Sequence, residues 1–124
     1  MQMGEISSYK DLRVWQLGME IACDCYGLTK DFPKEELYGM TSQIRRAATS
    51  IPANIAEGYG RDGRGEYIQF LRIAQGSLKE LETHLILVER VGIAARDSTS
   101  SLQNRCDEAG RMLRALIRSI QNVK

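Results

Sequence analysis

Apolar residues recur at helical spacing through most of this chain, and that periodicity limits the possible folds more than any other feature. The clearest segment runs from about Gly63 to Val91 and places eight residues on one stripe: Tyr67, Phe70, Leu71, Ala74, Leu78, Leu81, Leu85 and Val88. Signals for β-strands are weak throughout the chain. A helix with one long apolar stripe buries that stripe against other helices. The sequence therefore predicts an all-α protein.

Three further segments show the same spacing, from about Tyr9 to Lys30, from about Tyr38 to Tyr59 and from about Ser98 to Val123. Four helices of this length, joined by short connections, pack as antiparallel neighbours. We therefore predict a single domain over residues 1–124 that forms an antiparallel up-down-up-down four-helix bundle.

Several residues predict where these helices begin and end. Ser8, with Asp11 three residues later, is a candidate N-cap for the first helix. Asp97 or Ser98 is the corresponding candidate for the fourth helix. Gly92 is a natural stop for the third helix, because glycine readily adopts the backbone conformation that ends a helix.

The second helix carries two stripes of different chemistry on neighbouring faces. One is apolar and is typical of a core, whereas the other consists of five polar residues: Gln43, Arg46, Ser50, Asn54 and Glu57. Pro52 removes one backbone hydrogen bond inside this helix and predicts a kink. Ser50 or Asn54 can satisfy the carbonyl group that the proline leaves open. We interpret the polar stripe as a structural hydrogen-bond network that fixes helix register or subunit contacts, with a ligand site as the alternative.

The first helix has more apolar surface than an outer helix of a bundle needs. Its first stripe consists of Leu12, Trp15, Met19, Ala22 and Tyr26, and its second stripe consists of Val14, Ile21, Cys25 and Leu28. One apolar stripe is enough to attach a helix to a small core. We therefore predict a homo-oligomer in which another copy of the protein covers the second stripe.

Charge is unevenly distributed, although the net charge is only +1. Residues 1–36 hold four basic and seven acidic groups, whereas residues 97–124 hold five and three. Three arginines of the fourth helix share a face opposite its apolar seam, and Lys124 extends this basic strip. A solvated surface is the simpler explanation for any one of these charges. The candidate nucleic-acid-binding residues are Arg45, Arg61, Arg64, Arg111, Arg114 and Arg118.

Enzyme signatures are missing from the sequence. It contains no Walker A loop, no GxSxG motif and no HExxH motif. The glycine-rich run GYGRDGRGE follows a predicted helix rather than a strand, so we interpret it as a helix end and turn, with a phosphate-contacting loop as the alternative. His84 can pair with Glu80 as an ordinary helix-surface pair. We predict a non-enzymatic protein without a cofactor.

The cysteines and the hydropathy pattern point to an ordinary intracellular protein. Cys23, Cys25 and Cys106 lack metal-site spacing, and we expect them to be small buried apolar residues. No apolar run approaches the roughly 20 residues that span a bilayer. The first residues show no signal-peptide pattern. These features predict a cytoplasmic protein with no metal site and no membrane contact.

Three blocks of sequence carry a resemblance to a known family. They are YKDLRVWQLGMEIA from Tyr9, DFPKEELYGMTSQIRRAATSIPANIAEGYGR from Asp31 and EYIQFLRIAQGSLKELETHL from Glu66. From Tyr9 to about Gly92 the chain resembles the four-helix-bundle proteins known as the 23S rRNA intervening-sequence protein family. The resemblance implies an antiparallel bundle. Its better-understood relatives, such as the accessory proteins of diversity-generating retroelements, further imply a ring-shaped homopentamer that presents basic surface to nucleic acid.

Two functions follow as hypotheses. The leading one is a cytoplasmic, non-enzymatic bundle that self-assembles, as a pentamer, and associates with structured RNA or with a nucleic-acid enzyme through the six candidate arginines. The alternative is a scaffold that binds another protein without contacting nucleic acid. Its contact surface would be the polar stripe of the second helix together with the second stripe of the first helix.

Overall fold

Four long α-helices form the architecture of this computed structural model, which describes residues 5–123. The helices are α1 (Arg13–Thr29), α2 (Ser42–Tyr59), α3 (Arg64–Arg90) and α4 (Arg96–Gln121). Residues 5–123 contain no β-strand. The predicted all-α fold is therefore confirmed. None of the helices in this range is long and apolar enough to cross a membrane.

The first two helices run antiparallel. Near the end of α1, the Thr29 hydroxyl accepts a hydrogen bond of 2.8 Å from Arg45 Nε, near the start of α2. Farther along α2, Pro52 lies against Gly18 in the first half of α1, where a Cβ on the glycine would be 3.5 Å from the proline ring. These two contacts place the start of α2 beside the end of α1 and the middle of α2 beside the first half of α1, as antiparallel packing requires.

The second and third helices are also antiparallel and cross closely. The hydroxyls of Ser50 and Ser77 form a hydrogen bond of 2.7 Å at the middle of both helices. At the end of α2, Gly58 faces the start of α3, and a Cβ there would lie 2.8 Å from the Phe70 Cβ. Gly58 is therefore required by the packing and not by the backbone conformation.

The fourth helix closes the bundle against both α3 and α1. Leu78 packs on Gly110, and Thr99 near the start of α4 donates a hydrogen bond of 2.7 Å to Glu89 near the end of α3. On the other side, Arg105 forms an ion pair with Asp24 of α1. Each helix thus packs on its sequence neighbours and α4 packs on α1. This arrangement is the predicted up-down-up-down bundle.

The core is built from the predicted apolar stripes. Its largest fully buried side chains are Ile21, Ile44, Ile51, Ile55, Leu71, Leu78, Leu81, Leu85, Leu113 and Val88. Burial of each such side chain contributes roughly 1.5–3 kcal/mol relative to its exposure to water. These contributions hold the four helices together without a disulfide, since the three cysteines are free.

The chain before α1 differs from the predicted continuous helix. Tyr9–Asp11 forms a 3₁₀ turn, and the extended Leu12 separates it from α1. Ser8 caps this turn in a capping box with Asp11, as predicted. The Tyr9 ring packs against Trp15 with centroids 5.3 Å apart, and this contact folds the segment back along α1.

At the α3–α4 connection, the predicted end of α3 is confirmed and the predicted caps of α4 are wrong. Gly92 has φ of 81°, which glycine adopts without strain, and it ends α3 as predicted. The predicted caps Asp97 and Ser98 are wrong, because α4 begins at Arg96 after Ala95, which makes no side-chain cap. The side chains of Arg96 and Thr99 donate hydrogen bonds to the Glu89 carboxylate and secure the start of α4 instead.

Pro52 lies inside one continuous helix. It is buried, and α2 runs through it from Ser42 to Tyr59. The Asn54 side-chain amide donates to the Ser50 carbonyl at 2.8 Å and to the Ser50 hydroxyl at 2.9 Å. The carbonyl left open by a proline at this position belongs to Ala48, four residues earlier, so the Asn54 side chain strengthens a neighbouring turn.

The cysteines divide into two buried residues and one exposed residue. Cys25 and Cys106 are fully buried, and burial raises the pKa of each thiol to about 12. Both are therefore small apolar core residues, as predicted. The expectation is wrong for Cys23, which is exposed because it lies on the outer face of α1.

Candidate functional site

The exposed face of α4 carries three arginines at helical spacing. Arg111, Arg114 and Arg118 are exposed, and none of them forms an ion pair within residues 5–123. Arg114 lies back over the seam with α3, since its Nη1 is 3.8 Å from the position of a Cβ on Gly110. Residues 111–124 hold four basic and no acidic groups, of which Lys124 lies outside the described residues. This half of α4 therefore carries only positive charge, although Asp107 and Glu108 lie one turn before Arg111.

Two arginines of α3 extend this charge across the seam. Arg64 donates a hydrogen bond to the Val123 carbonyl just after α4. Two contacts give the register of these antiparallel helices, Arg64 with Val123 and Leu78 with Gly110. Counting along α3 from these contacts places Arg72 beside the part of α4 that lies between Arg114 and Arg118. Arg72 is exposed. At about 100° per residue it lies on the outer surface of α3, nearer to α4 than to α2.

We call this surface the arginine face and define it by Arg64, Arg72, Arg111, Arg114 and Arg118. Four of its members are candidates from the sequence, and Arg72 is not. Helical spacing groups residues within one helix, but it does not give the register of α3 on α4. The outward position of Arg72 on its own helix is the only signal the sequence carries for it.

The other two candidate arginines lie elsewhere. Arg45 is on the α1–α2 side, where its guanidinium stacks over the Tyr26 ring at 4.5 Å and bonds to Thr29. Arg61 follows α2, pairs with Glu57 at 2.7 Å and lies 4.8 Å from the centre of the Phe70 ring. The structure thus brings four of the six predicted residues to one face and places Arg45 near the opposite end of the bundle.

The predicted polar stripe of α2 divides into separate groups. Ser50 and Asn54 bond to each other, and Ser50 also bonds to Ser77 across the α2–α3 seam. Glu57 pairs with Arg61 at the end of the helix. Gln43 and Arg46 are exposed and make no side-chain hydrogen bond within residues 5–123. Within this stripe only Ser50 bonds to another helix, and Asn54 supports it from one turn later.

An apolar groove runs along the outside of α1 and α2. It has a volume of about 570 Å³, and its lining is Tyr9, Trp15, Met19, Ala22, Cys23, Tyr26, Thr49, Pro52, Ala53 and Ala56. None of these ten residues is charged. Met19 and Tyr26 remain 40% and 47% exposed. The groove is on the opposite side of the bundle from the arginine face, because the α1–α2 pair packs across the core from the α3–α4 pair.

The groove corrects one detail of the sequence interpretation. Val14, Ile21 and Cys25 of the second stripe of α1 are buried in the core of the bundle itself. They are not available to a partner, since α2 and α4 already cover them. The apolar surface left outside belongs to the first stripe, which includes Met19 and Tyr26.

Ionisable groups do not converge on a reactive centre in the described part of the chain. His84 Nε2 is 3.2 Å from Glu80 Oε2 on the surface of α3. No three histidine, cysteine or carboxylate side chains in residues 5–123 are grouped so that they could hold a metal ion. The arginine face and the apolar groove are therefore the two surfaces on which a function can be argued.

Comparison with known proteins gives a family but no activity. No curated protein matches the chain at a significant level. A solved structure from Bacteroides thetaiotaomicron is described as a protein with unknown function from the S23 ribosomal protein family. It is similar to this chain with a TM-score of 0.76 and 29% sequence identity, over 85% of this chain and 98% of that one.

A family model described as 23S rRNA-intervening sequence protein matches residues 10–115. That range includes α1, α2 and α3 and most of α4. It also contains the apolar groove apart from Tyr9, and the arginine face apart from Arg118. The match confirms the resemblance stated from the three sequence blocks. The chain therefore belongs to the 23S rRNA-intervening sequence protein family.

Proposed function

We propose that this protein is a non-enzymatic, cytoplasmic helical bundle that self-assembles and associates with structured RNA. The observation that carries the proposal is the arginine face, five exposed arginines across α3 and α4 with no ion pair among the described residues. Guanidinium groups bind phosphate oxygens with charge-assisted, often bidentate hydrogen bonds. The name of the family, which refers to the intervening sequences of 23S rRNA, makes folded rRNA the natural first ligand.

Self-assembly supports RNA association, because each added copy presents another arginine face. A net charge of +1 per chain is small, but several faces in a ring produce a field that attracts a polyanion. The apolar groove is the surface that supports assembly, since a monomer would leave Met19 and Tyr26 in water. We propose a pentamer, as the family resemblance implies.

The RNA-binding proposal is tested with a folded 23S rRNA fragment and a series of salt concentrations. The affinity should fall steeply with salt, because each phosphate contact releases counterions. The variant R111Q/R114Q/R118Q should reduce the slope of log K against log[salt] by about 2 to 3. The control R13Q/R46Q/R90Q removes three exposed arginines that lie off the face and should leave the slope almost unchanged.

Two results would contradict this proposal. One is an affinity that does not depend on salt, because phosphate contacts always carry that dependence. The other is an equal loss of affinity in both triple variants, because net charge rather than the arginine face would then determine binding. Circular dichroism of each variant establishes that the bundle is folded before binding is measured.

The apolar groove also favours a second function, that of a scaffold for another protein. Aromatic and methionine side chains such as Trp15, Tyr26 and Met19 are enriched in protein interfaces. A pull-down from a nuclease-treated lysate separates the two functions. A protein partner that remains after nuclease treatment and is lost in Ala53→Glu supports the scaffold. A partner lost with the nucleic acid supports RNA association.

A further inference from the structure

The arginine face consists of two parallel rows. On α3, Arg64 and Arg72 are eight residues apart, or about 12 Å along the helix. On α4, Arg111 and Arg118 are seven residues apart, or about 10 Å, with Arg114 between them. Packed helices have axes about 8–10 Å apart. The face therefore takes its cations from two neighbouring helices, with a row on each.

Parts of both rows are held in place by contacts with the bundle. Arg64 bonds to the carbonyl of Val123, which ties the α3 row to the end of α4. The Arg114 guanidinium lies over Gly110, with its Nη1 3.8 Å from the position of a Cβ on that glycine. Arginines that are already ordered lose less conformational entropy when they bind a ligand. The two rows are thus a defined surface rather than a set of independent flexible charges.

Aromatic side chains are absent from this surface. The chain has no phenylalanine, tyrosine or tryptophan after Phe70, so α4 and most of α3 carry none. Tyr67 and Phe70, near the start of α3, face Gly58 of α2. Proteins that hold single-stranded nucleic acid combine basic grooves with aromatic rings on which the bases stack. The arginine face provides the charges without such a platform for unpaired bases.

We infer that the arginine face takes base-paired RNA and contacts the phosphates of both strands. This inference rests on the proposed association with RNA and names the form of RNA bound. A-form RNA has a deep, narrow major groove. The phosphates of its two strands line the two edges of this groove and therefore lie close together. Guanidinium groups carried by two neighbouring antiparallel helices can reach two such lines of phosphates. The bases stay paired and do not contact the protein, so the binding is independent of sequence.

The test compares a long RNA hairpin with an unstructured single strand of the same length, using the full chain. The hairpin should bind at least tenfold more tightly, and exchanging its base pairs for others should change the affinity by less than about twofold, because phosphates carry no sequence information.

Arg72 provides the sharpest variant, since it belongs to the inference and not to the sequence candidates. Arg72→Gln should weaken hairpin binding at least threefold and lower the salt slope by about 0.7–0.9. Arg90→Gln is the matched control. Arg90 is also exposed on α3 and points in the same direction, but it is 18 residues away, or about 27 Å. This variant should bind the hairpin like the unmodified protein.

The outcomes separate this inference from the proposed function. Equal affinity for the single strand and the hairpin, or equal effects of Arg72→Gln and Arg90→Gln, overturns the inference but leaves RNA association in place. Failure to bind either RNA at low salt removes the proposed function itself. Preference for the hairpin with a selective effect of Arg72→Gln supports both.

Discussion

The two long surfaces of this bundle differ in nearly every physical property. The apolar groove between α1 and α2 has ten uncharged lining residues, including Trp15, Met19 and Tyr26. The arginine face across α3 and α4 has five cations and no aromatic ring. Contact with the groove would be driven by removal of apolar surface from water, and contact with the face by attraction to phosphates. Because they lie on opposite sides, the proposed self-assembly and the proposed RNA contact do not compete for the same surface.

The largest expected effect comes from placing the same carboxylate on each surface. Ala53→Glu puts a charge in the apolar groove and should weaken self-association at least 100-fold, because a buried unpaired charge is strongly destabilising. Ala115→Glu puts it beside Arg111 and Arg118, where it should leave assembly intact and weaken RNA binding. Light scattering during size-exclusion chromatography measures the assembly, and fluorescence anisotropy measures the RNA affinity.

Both alanines are exposed, so the stability of the single chain should change by less than about 0.5 kcal/mol in either variant. If Ala53→Glu assembles normally, the groove is not the contact between copies, and the division of roles between the two surfaces is wrong. If Ala115→Glu binds RNA with unchanged affinity, the arginine face is not where the phosphates lie.

A smaller effect should follow from separating the helices that connect the two surfaces. Gly58→Ala places a methyl group 2.8 Å from Phe70 Cβ and 3.1 Å from Tyr67 at the α2–α3 crossing. Overpacking of this kind should cost about 1–3 kcal/mol of unfolding free energy. Gly76→Ala is the control, because nothing lies within 4 Å of its Cβ position and it should stabilise α3 by about 0.5–1 kcal/mol. Urea denaturation measures both, and equal stability of the two variants would contradict the close crossing.

The Ser50–Ser77 hydrogen bond should contribute less than the crossing at Gly58. Ser77→Ala removes the only polar bond found between α2 and α3 in the described residues and should cost about 0.5–1.5 kcal/mol. Ser100→Ala serves as the control, because Ser100 is exposed on α4 and makes no side-chain hydrogen bond in that range. If Ser77→Ala loses no more stability than Ser100→Ala, the bond does not stabilise the contact between α2 and α3.

The smallest effect concerns the end of the α3–α4 contact that is farthest from the arginine face, and it depends on pH. Hydrogen bonds from Thr99 and Arg96 hold the pKa of Glu89 below its ordinary value of 4.5. Since the folded-state pKa is lowered, this contribution to stability is fully present above pH 4.5 and is lost as the pH falls through the folded-state value. Glu89→Gln should therefore lower the melting temperature at neutral pH, with the difference vanishing in acid.

The control for this experiment is Glu20→Gln, an exposed carboxylate in the middle of α1 that makes no ion pair in the described residues. Its melting temperature should follow that of the unmodified protein from neutral to acidic pH. A difference between Glu89→Gln and the unmodified protein that stays constant down to strongly acidic pH would contradict the assigned role of the carboxylate.

Much of the fold could be predicted because the apolar stripe of each helix shows which of its sides is buried. The stripes that contain Ile44, Leu78 and Leu113 identify core positions that are fully buried in the structure. Errors occur where contacts with another segment determine the local structure. The extended Leu12 separates α1 from the turn in which Tyr9 packs on Trp15, and near the start of α4 Thr99 donates a hydrogen bond to Glu89 of α3.

The candidate site could be predicted only in part, because a surface shared by two helices depends on how one is shifted along the other. Arg111, Arg114 and Arg118 belong together through spacing on one helix. Arg72 joins them only through the register of α3 on α4, and Arg45 is separated from them only by the direction of α2. The periodicity of a single segment gives neither the register nor the direction of a neighbouring helix.

The packing of each helix on its neighbour in the chain also determines the order in which the two surfaces are completed during synthesis. Contacts between adjacent helices are local in sequence, and bundles dominated by local contacts fold quickly. The lining of the apolar groove is complete at Ala56, before α3 begins at Arg64, whereas the arginine face needs residues up to Arg118. On a translating ribosome the chain therefore acquires the lining of the apolar groove well before it acquires the second row of arginines. In the proposed division of roles, the surface for assembly is synthesised before the surface for RNA is complete.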